Sequence, residues 1–257
     1  MEVIILGSGT FIPIPERACP SVLVISETEK TRLLLDIGPG TLRQIAKTGL
    51  SCTMLDYVLL SHFHPDHTAD IIHFLFTIKN ITPLFQKPFT IAGPTGTRDF
   101  IKALQQAYKG HIHIPSNLLE IDELGKRSKR KYNELTIISH HVKHAPESIG
   151  FRIEDNSGKS IVYSGDTGIC DDVIRLAENA DLLILECSLP EETIEANNIA
   201  THLSPSDAGK IADEANARCL VLTHIYPECL KVDIRSRCGR YYKGKIIIAK
   251  DLLRLHV

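Results

Sequence analysis

The segment Ser61-His62-Phe63-His64-Pro65-Asp66-His67 places four potential metal donors, His62, His64, Asp66 and His67, within six residues. Imidazole nitrogens and carboxylate oxygens are the donors zinc accepts where no cysteine is offered. Desolvating so many polar groups together is costly unless a cation sits among them. In an extended segment alternate side chains point the same way. His62 and His64 can therefore chelate one ion as a pair, while Asp66 and His67, around the following turn, can reach a second. Held in this way, metal ions would activate water for hydrolysis. His144, Asp166 and His224 each lie just past an apolar run. A lone histidine in such a place is more often structural than a ligand, so these three gain meaning only from the pattern they complete.

The elements that must position these residues are legible as apolar runs. Val3–Leu6 reads as a first strand, ended by Gly7-Ser8-Gly9. Ser21–Ser26 and Thr31–Asp36, joined by the polar turn Glu27–Lys30, read as a hairpin. Tyr57–Leu60 is a short strand that runs straight into the histidine motif. Helices are expected over Thr41–Thr48, with Gly49 as C-cap, over Ala69–Lys79 and over Asp99–Tyr108. Pro83 and Pro88 interrupt the chain before a strand at Phe89–Ala92. In the second half, Thr136–Val142, Gly150–Ile153, Ser160–Tyr163, Asp181–Leu185, Leu220–Leu222 and Lys245–Ala249 read as strands, and Asp172–Glu178 as a helix. Ser204-Pro205-Ser206-Asp207 is a helix start, with a capping serine, proline in the first turn and an acidic residue three places on. Strands in groups with helices between them imply an α+β fold. The expected architecture has four layers (αββα), with two mixed sheets packed face to face and helices outside, in a single domain over 1–257.

Composition is that of a soluble globular chain: 43% apolar, 23% charged, formal net charge -2. That charge gives no global pull towards nucleic acid. The local exception is Lys126, Arg127, Lys129, Arg130 and Lys131, which reads as a solvated loop or, alternatively, a phosphate-contacting one. Seven scattered cysteines without a C-x-x-C pair argue against a disulfide framework and imply reduced thiols in the cytoplasm. No apolar run reaches the ~18 residues of a membrane span, and Met1–Thr10 lacks the basic start and cleavage site of a signal peptide.

Ser61–His67 resembles the signature of the metallo-β-lactamase superfamily, most closely the branch containing ribonuclease Z and the cyclic phosphodiesterases. Leu6–Ser21, Leu33–Thr41 with Asp36, His144–Ile153, Tyr163–Gly168 and Val221–Pro227 resemble that branch's other motifs in the same order. The resemblance implies one metal on His62, His64 and His144, a second on Asp66, His67 and His224, and Asp166 bridging both. It implies two divalent ions, zinc first, with manganese or iron acceptable to the same donors. It assigns catalytic work to Asp66, His202 and Glu186, the glutamate orienting His202 beside the scissile bond. Asp36 would orient a ligand histidine through its second nitrogen.

Two bridged metals lower the pKa of a shared water from about 15.7 to roughly 7, and the expected reaction is phosphodiester hydrolysis. The substrate would be a small phosphodiester or a nucleic-acid end. The ribonuclease Z branch carries a long Gly/Pro-rich arm after the segment matching Gly150–Ile153, whereas here only Glu154–Lys159 precedes the next strand. An RNA-processing nuclease is therefore the alternative reading, beside hydrolysis of a thioester, lactone or sulfate ester. A binding protein would take up metal without turnover, and a redox role with iron lacks a partner domain. Lactam hydrolysis fits poorly with the absence of an export signal. The branch's dimers make a homodimer an expectation.

Overall fold

A computed structural model describes residues 1–81 and 87–257. Pro83, expected to interrupt the chain, lies outside the described residues.

Two seven-stranded sheets form the scaffold. The first contains β1 (Glu2–Gly7), β2 (Ser21–Ile25), β3 (Arg32–Leu35), β4 (Tyr57–Leu59), β5 (Phe89–Pro94) and β6 (Leu119–Leu124). The second contains β7 (Arg127–Tyr132), β8 (Leu135–His141), β9 (Ile149–Glu154), β10 (Ser160–Tyr163), β11 (Leu182–Glu186), β12 (Cys219–Thr223) and β13 (Lys245–Ile248). A last strand, β14 (Leu253–His256), returns to pair with β1. The two sheets share one pairing order. Three antiparallel ladders are followed by three parallel ones: β14-β1-β2-β3 then β3-β4-β5-β6, and β7-β8-β9-β10 then β10-β11-β12-β13.

Successive side chains of a strand point to opposite faces, and here both faces are covered. Val3, Ile5, Val24, Leu33 and Leu35 of the first sheet meet Phe151, Ile153, Ile161, Ile184 and Val221 of the second. Their neighbours Ile4, Leu23, Leu34 and Val58 face outwards onto Ile45, Ile71, Phe74 and Ile101, which belong to the helices Thr41–Lys47, Asp70–Ile81 and Thr97–Ala107. On the far side Val162, Leu183, Leu185 and Leu222 pack under the helices Asp171–Ala177 and Pro205–Glu214 through Val173, Leu176, Ala208 and Ile211. This is the expected αββα arrangement. Double-sided burial explains why the parallel strands read as unbroken apolar runs. Among the described residues no helix is long and apolar enough to cross a membrane.

The basic segment is corrected by the structure. Most of it is β7, an edge strand registered on β8 from Arg127↔His140 to Tyr132↔Leu135. Only Tyr132 of β7 is buried, so the hydrophobic alternation that marks a strand is missing. Charged side chains are a normal way to blunt a sheet edge. Two of them are engaged already, Arg127 with Asp172 at 2.9 Å and Arg130 with Asp122 at 3.6 Å. β6 and β14 were likewise not foreseen; their mixed burial patterns hide them.

The carboxyl ends of the parallel strands converge on one rim. β4 leads into His62, β10 into Asp166, β11 ends at Glu186, and β12 ends one residue before His224. Ligands of open α/β sheets bind outside such strand ends.

Candidate metal centre

Asp166 is the pivot of the cluster. Its carboxylate is nearly fully buried, and its two oxygens face different groups of donors. Oδ1 lies 3.2 Å from His67 Nε2 and 3.4 Å from His224 Nε2. Oδ2 lies 3.7 Å from His144 Nε2 and 4.0 Å from His62 Nε2. Asp66 Oδ2 completes the first group, 3.6 Å from His224 Nε2 and 3.8 Å from His67 Nε2. His64 Nδ1 completes the second, 3.1 Å from His144 Nε2. Burial opposes the ionisation of Asp166, yet the surrounding imidazoles hold its carboxyl well below the usual range.

The second nitrogen of each ring reveals its tautomer. Asp36 Oδ2 accepts from His67 Nδ1 at 2.7 Å, from the Ser61 hydroxyl at 2.8 Å and from the Tyr163 hydroxyl at 2.7 Å. Because Ser61 gives its proton to Asp36, its oxygen accepts from His62 Nδ1 at 3.0 Å. Burial and the Asp36 charge push the Tyr163 hydroxyl far above its usual range, so it stays a donor. Ser188 gives its proton to Glu186 Oε2 at 2.5 Å and accepts from His224 Nδ1 at 2.9 Å. His144 Nδ1 donates to the Thr201 carbonyl at 3.1 Å. Every one of these rings therefore turns an Nε2 lone pair inwards. Nε2 of His62, His67 and His224, together with Asp166 Oδ1, is buried without any hydrogen-bond partner. Buried polar atoms are rarely left so. The donor set fits a divalent cation, which would satisfy these atoms together; His62, His64, His144 and Asp166, and again Asp66, His67 and His224, lie close enough to hold one.

The backbone is shaped for this convergence. Asp36 and His224 both adopt left-handed conformations, with φ of 57° and 54°. Such a conformation costs a non-glycine residue on the order of 1 kcal/mol. Gly165, before the pivot, has φ +59°, and a β-carbon on it would sit 2.7 Å from that of Ser61. A β-carbon on Gly38 would fall 1.9 Å from the Asp66 carbonyl oxygen, so only glycine lets the β3 loop lie against the motif.

His202 stands at the rim of the same cluster, its ring 4.9 Å from that of His144 and 5.9 Å from that of His224. Its Nδ1 donates to Glu186 Oε1 at 3.0 Å. Glu186 is fully buried and also accepts from the Thr167 and Leu203 amides at 2.6 and 3.1 Å. The expected capping box holds this segment: Ser204 accepts from the Asp207 amide and Asp207 from the Ser204 amide, starting the helix Pro205–Glu214. Burial alone would lower the His202 pKa, but the Glu186 charge and hydrogen bond raise it to about 9. A donor of this kind is lost as pH rises through its pKa. Glu186→Gln removes the raising interaction, so the alkaline limb of the rate profile is expected to move to lower pH. An unmoved limb in a pH–rate series would refute the coupling.

Asp36→Asn is expected to weaken metal affinity by roughly 10- to 100-fold, the usual cost of disturbing a residue that orients a ligand. Chelator competition measures this, and unchanged affinity in a folded variant would remove Asp36 from the role.

A family model described as "Beta-lactamase superfamily domain" matches residues 31–225. The chain belongs to the β-lactamase superfamily. A ribonuclease Z of Mycobacterium bovis is 31% identical over 281 aligned positions, covering all of this chain and 98% of that protein. The crystal structure of YhfI from Bacillus subtilis, described as a metallo-β-lactamase fold protein, superposes with a TM-score of 0.86 at 26% identity. It covers 99% of this chain and 98% of its own. Human tRNase Z, short form, superposes with a TM-score of 0.81 at 24% identity over 100% of this chain and 99% of its own, which speaks for the fold. As a superfamily member with this donor cluster, the chain is a metal-dependent hydrolase.

All seven donors anticipated in the sequence, with His202 and Glu186, are brought together on one rim. Sequence reasoning missed Ser61, Tyr163 and Ser188, which hold the rings in register. Ser61 and Ser188 were findable as hydroxyls beside or two residues from acidic or histidine positions. Tyr163 was not, because its partner Asp36 is 127 residues away. His140, matched to no motif, lines a cleft with Arg152 and Arg175 on the outer face of the second sheet.

Proposed function

We propose that this superfamily member is a phosphodiesterase with a dinuclear metal centre. The observation that carries this reading is the division of Asp166, whose two oxygens face two separate groups of donors. His62, His64 and His144 would hold one ion, Asp66, His67 and His224 the other, with Asp166 shared. When bound, two divalent cations, zinc first and manganese or iron as alternatives, supply Lewis acidity for water activation and neutralise charge at phosphorus. The chain's own part is to hold the donors in one tautomer, to shield Asp166 from water, and to keep a proton on His202 beside the leaving oxygen. Glu186 fixes that proton donor, and Asp66 completes the charge balance of the pair.

The test is hydrolysis of bis(p-nitrophenyl) phosphate by protein reconstituted separately with zinc and with manganese, with His64→Ala as control. Turnover that vanishes in the variant supports the reading. Two bound metals per chain without turnover would overturn it and direct attention to thioesters, lactones or a binding role.

A ribonuclease Z-like activity is the second reading, favoured by the relative that matches the whole chain. Against it stands the connection between β9 and β10, a tight turn over Asp155–Lys159 in which Asp155 Oδ1 accepts from the Ser157 and Lys159 amides. No arm extends there to grip a folded RNA. Cleavage of a tRNA precursor at its 3′ trailer decides between them, and a homodimer, if formed, is read from light scattering of the same preparation.

A further inference from the structure

Two residues past His224 stands Tyr226, a phenol that neither the donor cluster nor the proton donor uses. Its ring lies 5.7 Å from that of His224 and 6.1 Å from that of His202, crossing them at 76° and 68°. Those two imidazole rings are themselves nearly parallel, 5.9 Å apart. Tyr226 therefore lies across the pair that the proposed function sets at a metal and at the leaving oxygen. Burial strengthens the hold of the phenol on its proton, and the carboxylates of Asp166, Asp66 and Glu186 add to it ahead of the neighbouring Glu228. The hydroxyl thus feels the donor cluster more than its own loop.

What this hydroxyl lacks is a protein partner. The buried phenols Tyr132, Tyr163 and Tyr242 donate to Asp122, Asp36 and the Ala217 carbonyl, each at 2.7 Å. Tyr226 is half-buried, and its hydroxyl makes no hydrogen bond among the described residues. A tyrosine drawn out of water usually finds a partner for its O–H. The backbone of Tyr226, by contrast, is fixed on both sides. Its amide donates to the Ser188 carbonyl at 3.2 Å, and its carbonyl accepts from the Cys229 amide at 3.0 Å. Ser188 is also the residue whose hydroxyl orients His224. On the outer side the Phe11 ring meets Tyr226 edge to face, with centroids 5.6 Å apart and planes at 83°, an arrangement aromatic pairs favour. The donor is held in place with its proton unused.

We propose that the Tyr226 hydroxyl donates a hydrogen bond to a non-bridging oxygen of the substrate's phosphoryl group, which makes Tyr226 a catalytic residue beside His202. The inference rests on the phosphodiesterase reading. A donor fixed in advance at oxygens whose charge must be stabilised costs no reorganisation at the moment of reaction. The two neighbours then have separate tasks. His202 gives its proton to the leaving oxygen, whereas Tyr226 keeps its own and bonds through it. An ordinary phenol is protonated throughout the neutral range, so this task requires no ionisation.

The test is Tyr226→Phe, which removes the hydroxyl and keeps the ring that packs against Phe11, His202 and His224. Metal-loaded wild type and variant are compared by equilibrium dialysis of inorganic phosphate and by hydrolysis of bis(p-nitrophenyl) phosphate. Phosphate affinity is expected to fall by about 10-fold or more, the usual worth of a hydrogen bond to a charged group. The kcat should fall by about 10²- to 10³-fold, the loss typical of one preorganised donor. Metal content should equal that of the wild type. Phosphate affinity undiminished in the variant would overturn the assignment, and so would a wild type that binds no phosphate. Metal lost from the variant would overturn it as well, because the ring would then act through His224. A wild type that binds phosphate through this hydroxyl yet turns over no diester would remove the phosphodiesterase reading and leave Tyr226 as a phosphate donor.

Discussion

Asp166→Asn is expected to reduce turnover of a phosphodiester by more than ~10²-fold, beyond the upper end seen for residues that merely orient a ligand. The asparagine keeps the shape and surrenders the charge. One of its two atoms facing the histidines becomes an amide nitrogen, which presents hydrogens where a lone pair is required. Whichever way the amide turns, both groups lose the negative charge and one of them also loses its oxygen donor. Metal content should therefore fall together with activity, and the loss should amount to about one ion per chain. Metal analysis after gel filtration, alongside steady-state kinetics, measures both effects. Full metal occupancy with activity within about tenfold of wild type would show that the two donor groups do not share this carboxylate.

The second large effect belongs to His202 and depends on the leaving group. A positioned general acid contributes typically ~10²- to 10⁴-fold. His202→Ala should cost an amount in that range when the departing group is an alkoxide, which leaves poorly without a proton. It should cost far less with p-nitrophenolate, which departs readily as an anion. Metal content should be unchanged, because in the proposed assignment His202 is the proton donor and not a ligand. The distinction is a real one here, since its ring nitrogen is close enough to Asp166 and His224 to join a donor set. Equal losses for the two leaving groups would mean that the imidazole stabilises charge at phosphorus and donates no proton. A fall in metal content would make it a ligand.

The donors of the motif at 62–67 were legible because their chemistry is written locally. Four polar side chains in six positions after an apolar strand have few structural explanations. The parallel strands were legible for a related reason: burial on both faces leaves an unbroken apolar run. The helix start at Ser204 was legible because a capping box is closed within four residues. By contrast β7 was read as a loop, since an edge strand with one buried residue carries no alternation to detect.

The residue types and their order, with the family resemblance they carry, were enough to expect the αββα class and to name the candidate donors. Only the tertiary structure decided how these side chains group around the two oxygens of Asp166, which nitrogen of each ring is free, and which hydroxyls enforce that choice. Ser61, Tyr163 and Ser188 act through partners that the fold, not the spacing, delivers: Tyr163 reaches Asp36 across the interface of the two sheets, and Ser188 reaches His224 from the end of the neighbouring strand. A hydrogen bond is satisfied over about 3 Å, and the chain specifies that separation only after both sheets have packed.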